Sequence, residues 1–220
     1  VALITVDADG NNAIVVAPGA NARLAPEDVY RAQSEICSAG AVVAQLEVSL
    51  AAVQCAAELA HYAGVKFVLN PAPAQPLPPA LLPLITVLTP NETEAEILTG
   101  IKVVDPESAC SAADRFLDLG VKSAIVTMGA RGFVLAEGER REYIDAEKVR
   151  AVDTTAAGDA FTASLALGIG QGHDLCSSAV FASRAAALCV MKMGAQPSMP
   201  TMKEVCAFVP TPGKNSRRIR

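Results

Sequence analysis

Apolar runs that alternate with helix-like segments constrain the fold of this chain more than any other feature. Residues 41–46 and 65–69 are mostly apolar, and residues 49–63 between them have the character of a helix that ends at Gly64. Strands that are apolar throughout, rather than at every second position, have both faces covered. The 220 residues are enough for one such domain. The sequence therefore predicts an α/β fold, a mainly parallel β-sheet with helices on both faces in three layers.

The remaining segments extend this pattern along the chain. Further strands are predicted at residues 85–88 and 122–127, and antiparallel pairs at 1–7 with 13–17, joined by a turn at 9–12, and at 133–136 with 141–144. Helices are predicted at residues 26–38, 91–98, 106–119, 159–170 and 174–191. Asp105 is placed to cap the third of these helices, and Pro26 to open the first.

Composition and charge exclude several classes of protein. Hydrophobic residues make up 51% of the chain, but no uncharged apolar run approaches the roughly 18 to 20 residues of a membrane span. The net charge is −5, and the last seven residues carry four of the positive charges, which leaves the body at −9. An acidic body argues against nucleic-acid binding, and we expect residues 209–220 to form a basic, disordered tail.

The cysteines and histidines do not form a zinc motif. The six cysteines include no CxxC pair, and the only histidines are His61 and His173. Most of the cysteines lie in alanine-rich apolar segments, where cysteine acts as a small hydrophobic residue. A reducing compartment, and hence a cytoplasmic location, is the natural interpretation.

One short stretch, residues 152–161, combines an anion site with an acid. It has the pattern of a strand end, a turn of small residues and the start of a helix, whose N–H groups favour an anion. Asp159 would repel that anion unless it has a task such as accepting a proton from an attacking hydroxyl, which indicates phosphoryl transfer. On this motif alone, an ordinary helix start with a capping aspartate remains an equal alternative.

These residues resemble the signature of the PfkB-type carbohydrate kinases, and within that family they are most similar to ribokinase. The signature is Asp153 to Phe161, followed by Gly-Ala-Gln-Pro-Ser at residues 194–198. Companion segments occur in the family's order at residues 18–21, 45–47, 70–73 and 90–94. The resemblance covers residues 1–208 and implies a ribokinase-like domain that transfers phosphate from ATP to D-ribose or a similar sugar, giving ribose 5-phosphate.

The resemblance assigns roles to individual residues. Asp159 would be the general base, and the N–H groups of Ala156, Ala157 and Gly158 would form an anion hole for the phosphoryl group. Glu47 and Asp159 would contact the sugar. The implied ATP-binding set is Asn91, Thr127, Met128, Gly129, Ala130, Arg131, Gly132, Gly158, Asp159 and Ser183. Two of these features have simpler readings, because Asn91 and Glu94 also match a capping box and a Gly-x-x-Gly segment is often only a turn.

Two cations are implied as cofactors. Glu94 would act on Mg²⁺ through water, since Mg²⁺ keeps several waters in proteins. A monovalent cation, K⁺, would be bound largely through backbone carbonyls of two loops, comprising Asp153, Thr155, Cys189, Lys192, Gly194 and Ser198. Asp153 has a simpler alternative as a cap of its own turn.

Two family elements that hold the sugar, an Asn-x-Asp strand and a Gly-Gly-x-x-x-Asn loop, are absent from this sequence. The chain also begins without Met and directly with a strand, so we expect a chain that is truncated at its N-terminus relative to the family. For the full-length protein the resemblance implies a homodimer. Alternatives to ribokinase activity are a non-catalytic nucleotide-binding fragment and a PfkB-type kinase for another sugar or nucleoside.

Overall fold

The computed structural model describes residues 2–6, 12–209 and 216–219. Within these residues the strands are β1 (Ala2–Val6), β2 (Asn12–Val16), β3 (Ala41–Ala44), β4 (Lys66–Leu69), β5 (Val87–Leu88), β6 (Ser123–Thr127), β7 (Phe133–Glu137), β8 (Arg140–Ile144) and β9 (Ser216–Arg218). The helices are α1 (Pro26–Arg31), α2 (Gln33–Ser38), α3 (Leu50–Tyr62), α4 (Glu92–Thr99), α5 (Pro106–Asp118), α6 (Ala157–Gly170), α7 (Leu175–Cys189) and α8 (Met202–Ala207).

The predicted strands and helices are confirmed, with three differences. The first predicted helix is divided at Ala32 into α1 and α2, α8 was not predicted, and Ser216–Arg218 forms β9 within the segment expected to be disordered. The predicted turn at residues 9–12 lies mostly outside the described residues. No helix in the described part of the chain has the length and apolar character that crossing a membrane requires.

Seven strands form one sheet in the order β3-β4-β5-β6-β7-β8-β9. Strands β3 to β6 are parallel to one another, and β7, β8 and β9 follow as antiparallel neighbours. Five of the seven strands therefore point in the same direction. β1 and β2 form a separate antiparallel hairpin.

Both faces of the sheet are covered by helices, as the apolar runs predict. On one face Phe67 and Val126 pack with residues of α3, α4 and α5. On the other face Val68 and Ile125 pack with residues of α6 and α7. Neighbouring residues of one strand thus enter opposite cores, and complete burial of a large side chain contributes about 1.5–3 kcal/mol. This three-layer arrangement fixes the carboxyl ends of β4, β5 and β6 at one edge of the sheet.

Most of the longer helices begin at a side chain that accepts a hydrogen bond from the first turn, as expected for helix ends. The capping residues are Ser49 for α3, Asn91 for α4, Asp105 for α5 and Asp174 for α7. The short helix α8 is capped in the same way by Thr201. Helix α6 differs, because its N-cap position is Ala156, which has no side-chain acceptor.

Candidate active site

An open cavity of about 200 Å³ lies at the carboxyl edge of the parallel strands. Asn70 directly follows β4, Thr89 directly follows β5, and Thr127 is the last residue of β6. Ligands of open α/β sheets bind in this position, outside the carboxyl ends of the strands. The cavity is lined by Asn70, Ala72, Thr89, Asn91, Glu94, Thr127, Thr154, Ala156, Ala157, Gly158, Asp159, Phe161 and Thr162.

The start of α6 offers unpaired N–H groups to this cavity. Ala156 has φ 62° and ψ 11°, and it is the one non-glycine residue with positive φ in the described chain. The N–H of Ala157 donates weakly to the Thr154 carbonyl (3.3 Å), whereas those of Gly158 and Asp159 have no acceptor among the described residues. Strained backbone with free donors at a helix N-terminus is a suitable site for an anion.

The carboxylate of Asp159 is exposed beside these donors. It occupies the third position of α6 and takes part in no hydrogen bond or ion pair within the described residues. The alternative of a capping aspartate is therefore not supported, because the N-cap position is Ala156 and no side chain caps this helix. A solvated carboxylate next to an anion site is free to accept a proton.

Asn91 and Glu94 form a complete capping box at the start of α4. The Asn91 side chain accepts from the Glu94 N–H, while Glu94 accepts from the Asn91 N–H and side-chain amide, all at 2.9 Å. Burial raises the pKa of Glu94, and the hydrogen bonds from Asn91 oppose that shift. Both residues also line the cavity. The capping interpretation is thus confirmed, and their predicted roles toward phosphate and Mg²⁺ remain compatible with it.

Four polar residues of the cavity, Asn70, Thr89, Thr154 and Thr162, were not among the predicted site residues. The Asn70 side chain donates to the Thr89 carbonyl (3.1 Å), and the Thr89 and Thr162 hydroxyls lie 3.2 Å apart. These bonds join the ends of β4 and β5 to α6, which fixes the cavity wall. A usable signal was present in the sequence, because a polar residue directly after a buried parallel strand points to this edge of the sheet.

The segment 128–132, called the nucleotide turn below, lies next to the cavity but contributes none of its lining residues. Thr127, the residue before this turn, does line the cavity. Met128 is buried, and Gly132 has φ 110°. A Cβ on Gly132 would lie 2.0 Å from the Ile144 carbonyl oxygen, so glycine is required here by packing against the end of β8. The glycine at position 132 of the Gly-x-x-Gly segment is therefore explained by close packing.

Ser183 and Glu47 lie apart from the cavity lining. Ser183 is buried within α7. Glu47 is exposed on the loop after β3, where its N–H donates to the Gln45 side chain (2.7 Å). The adjacent Leu46 N–H donates to the carbonyl of Ala72, which does line the cavity (2.8 Å).

The six residues of the predicted monovalent-cation site are brought together by two neighbouring loops. Asp153 accepts from the N–H groups of Thr155 and Gly194, both at 2.9 Å, and hydrogen bonds from Thr155 and then Gly194 lower the pKa of Asp153. Cys189 Sγ lies 3.0 Å from Ser198 Oγ and 3.8 Å from the Thr155 carbonyl oxygen. The N–H of Lys192 donates to the Cys189 carbonyl (3.1 Å). Asp153 thus ties the anion-site loop to residues 189–198.

Comparison with known proteins relates this arrangement to a family. Residues 1–202 match the model of the pfkB family carbohydrate kinases. The chain belongs to this family. Ribokinase of Staphylococcus aureus is 46% identical over 205 residues, and ribokinase of Haemophilus influenzae is 42% identical over 208 residues. These alignments cover 93% and 94% of this chain, and 67% and 68% of the respective relatives.

A solved structure supports the same assignment. Arabidopsis thaliana ribokinase complexed with ribose and ATP has a TM-score of 0.86 and 35% identity, over 93% of this chain and 67% of that one. The predicted ribokinase-like α/β fold is therefore confirmed, as is the resemblance to the PfkB-type carbohydrate kinases. The chain spans about two thirds of the length of these relatives.

Proposed function

We propose that this chain carries the phosphoryl-transfer machinery of an ATP-dependent ribokinase, which converts D-ribose to ribose 5-phosphate. The names of the similar proteins support the substrate and reaction. The observation that carries the proposal is the position of Asp159, whose free carboxylate lies beside the unpaired N–H groups at the start of α6.

The proposed step is a direct displacement at the γ-phosphorus of ATP. The Asp159 carboxylate takes the proton of the sugar's primary hydroxyl while the hydroxyl oxygen forms a new bond to the γ-phosphorus. The bond between the γ-phosphorus and the β–γ bridging oxygen breaks, and ADP is released. Backbone N–H groups of residues 156–158 stabilise the charge on the equatorial oxygens. Of these, Gly158 is the donor best supported, while Ala157 would first give up its weak bond to Thr154.

The nucleotide is proposed to extend from this anion hole across the ends of β5 and β6. Asn91 and Thr127 line the cavity on that side, and the nucleotide turn continues from Thr127. Gly129 is exposed there, so a ligand can approach its backbone. The predicted adenine contact of Ser183 requires an approach to α7, and it stays a prediction.

The residues fit the two implied cations to different degrees. Glu94 suits an outer-shell role, since it lines the cavity while both of its carboxylate oxygens accept hydrogen bonds from Asn91. Mg²⁺ would then be held mainly by water and phosphate oxygens, and it supplies positive charge to the triphosphate. The Asp153 and Thr155 loop with residues 189–198 offers carboxylate and carbonyl oxygens, which suit K⁺, although several already accept hydrogen bonds.

A second candidate function is nucleotide binding without catalysis. It is favoured by the position of Glu47, because this residue is not part of the cavity lining. Glu47 is the one predicted sugar contact besides Asp159. The expected homodimer and the cytoplasmic location also stay predictions.

Calorimetry and a coupled assay for ADP release separate these functions. We expect the chain to bind MgATP and to release ADP only when D-ribose is added. Binding of MgATP without ribose-dependent turnover would support the second candidate, and absence of MgATP binding would contradict both. Comparing D-ribose with other pentoses tests the sugar.

A further inference from the structure

The C-terminal strand β9 lies beyond residues 1–202, the part of the chain that matches the family model. It pairs antiparallel with β8, with Tyr143 opposite Arg217 and Glu142 opposite Arg218, and the Ile219 N–H donates to the Arg141 carbonyl (3.1 Å). β8 would otherwise be an edge strand. The chain thus adds a strand to the sheet that the family match does not include.

Arg217 contacts two elements from this strand. Its guanidinium carbon lies 5.4 Å from the centroid of the Tyr143 ring, and its Nη2 lies 3.5 Å from Glu107 Oε1 on α5. A cation over a tyrosine ring at this distance is attracted by the electrons of the ring face. The ion pair is exposed and weak. The ring contact is therefore the more informative of the two.

Tyr143 transmits this contact to the nucleotide turn. Its hydroxyl donates to the Arg131 carbonyl (2.7 Å). Burial, followed by a hydrogen bond with Asp145, raises the pKa of Tyr143 to about 12. The phenol has a single proton, which the Arg131 carbonyl and the Asp145 carboxylate share as acceptors. Gly132 packs against the Ile144 carbonyl. The turn is consequently held from β8 at two adjacent points.

Arg131 continues the connection to the cavity. Its side chain bonds to Glu92 (3.1 Å) and to the Val104 carbonyl. Glu92 is the first residue of α4 and directly follows Asn91, which lines the cavity. Contacts therefore run without a break from β9 to the cavity rim.

We propose that β9 positions the nucleotide turn for ATP, with Arg217 and Tyr143 as positioning residues that act through Arg131. The inference rests on the proposed function, in that the turn must contact the nucleotide. It goes beyond that function because the strand lies outside the matched family segment. Neither side chain is among the residues that line the cavity.

Substitution of the ring contact tests this role in the full chain. Arg217→Ala should raise the Kd for MgATP about two- to fivefold, the loss expected for one exposed cation–π contact. Arg217→Lys keeps the positive charge and should restore most of the affinity. Tyr143→Phe, which keeps the ring but loses the hydroxyl, should weaken binding by a similar factor. The neighbouring Arg218→Ala is the matched control and should leave the Kd unchanged.

Amide hydrogen exchange provides a second measurement that needs no ligand. The N–H groups of Met128, Arg131 and Gly132 are hydrogen bonded within the turn, so Arg217→Ala should accelerate their exchange selectively. Equal exchange and equal Kd in all variants would overturn the inference, as would acceleration at every amide, which indicates only lost stability. Absence of MgATP binding by the unaltered chain would instead contradict the proposed function. Faster exchange confined to the turn amides in Arg217→Ala would even then show that β9 stabilises the turn.

Discussion

The starts of α4 and α6 face the same cavity and carry an acid at the same helical position, yet they are built differently. Glu94, third in α4, reaches back to close a capping box with Asn91. Asp159, third in α6, does not, and the residue at the N-cap is Ala156 in the left-handed region. One helix end is completed by its own side chains, and the other is left open.

Because of this difference we propose the start of α6, rather than that of α4, as the phosphate site. A missing cap costs about 0.5–2 kcal/mol, and an alanine in the left-handed region costs roughly 1–2 kcal/mol. Burial of Phe161 and Leu165 in the core, with Phe161 packed edge-on against Phe133 (5.6 Å between centroids), keeps α6 in place despite both costs. An anion at the open end would satisfy the donors that no side chain reaches.

The largest effect is expected at the acid of the open end. Asp159→Asn preserves size and removes the base, so ribose-dependent ADP release should fall roughly 10²- to 10⁴-fold. The Kd for MgATP, measured by calorimetry, should stay within a factor of about two or decrease, because a negative charge beside the phosphates is removed. Normal turnover in this variant would refute the role of Asp159.

A smaller effect is expected at the neighbouring donor. A Cβ on Gly158 would meet nothing within 4 Å, so Gly158→Ala should fold normally and gain up to about 1 kcal/mol of unfolding free energy from helix propensity. The added methyl group would lie where the phosphoryl group approaches, and kcat should fall about tenfold to a hundredfold. A variant that is more stable and fully active would indicate that the phosphate binds elsewhere.

Removal of the cap of α4 should lower both the stability of the protein and its affinity for MgATP. Asn91→Ala removes the N-cap of α4, which should lower the unfolding free energy by about 1 kcal/mol and weaken MgATP binding. Asp174→Ala is the matched control, because Asp174 caps α7 but does not line the cavity. It should cost similar stability, measured by chemical denaturation, and leave the Kd unchanged. Equal losses of affinity in both variants would point to general destabilisation.

The capped start of α8 should make the stability of the protein depend slightly on pH in the acid range. Its Glu204 bonds to Lys192 (2.8 Å), and this contact, followed by bonds from Thr201, lowers the pKa of Glu204 from 4.5 to about 2. As the pH falls, Glu204 is protonated in the unfolded state before it is protonated in the folded state. The stabilisation by the ionised Glu204 is therefore present above pH 4.5 and is lost as the pH falls toward 2. Glu204→Gln should flatten this part of the stability curve, followed by denaturation at several pH values. An unchanged slope would show that the pair does not form in solution.

Sequence patterns predicted most of the fold because they depend on local features. Apolar runs located β4 and β6, and capping signals located the starts of α4 and α5. α8 was missed although Thr201 and Glu204 form a capping-box pattern, because six residues are too short for a clear helical period. β9 could not be predicted, since its strand form depends on pairing with β8 across a gap of more than 70 residues in sequence.

The candidate site was predicted unevenly for a related reason. Residues within one continuous motif, such as Gly158 and Asp159, line the cavity together. Asn70, Thr89 and Thr162 were not assigned roles, because the hydrogen bonds that join them connect separate strands and a helix. The glycine pattern of the nucleotide turn was explained only in part, since Gly132 serves packing against β8.

Amide chemical shifts during a titration with MgATP test most directly whether the open end of α6 is the phosphate site. We expect large shifts for the N–H groups of Gly158 and Asp159, and none for Ser177 in the capped first turn of α7. Binding of MgATP that leaves the Gly158 and Asp159 amide shifts unchanged would show that the open end of α6 is not the phosphate site.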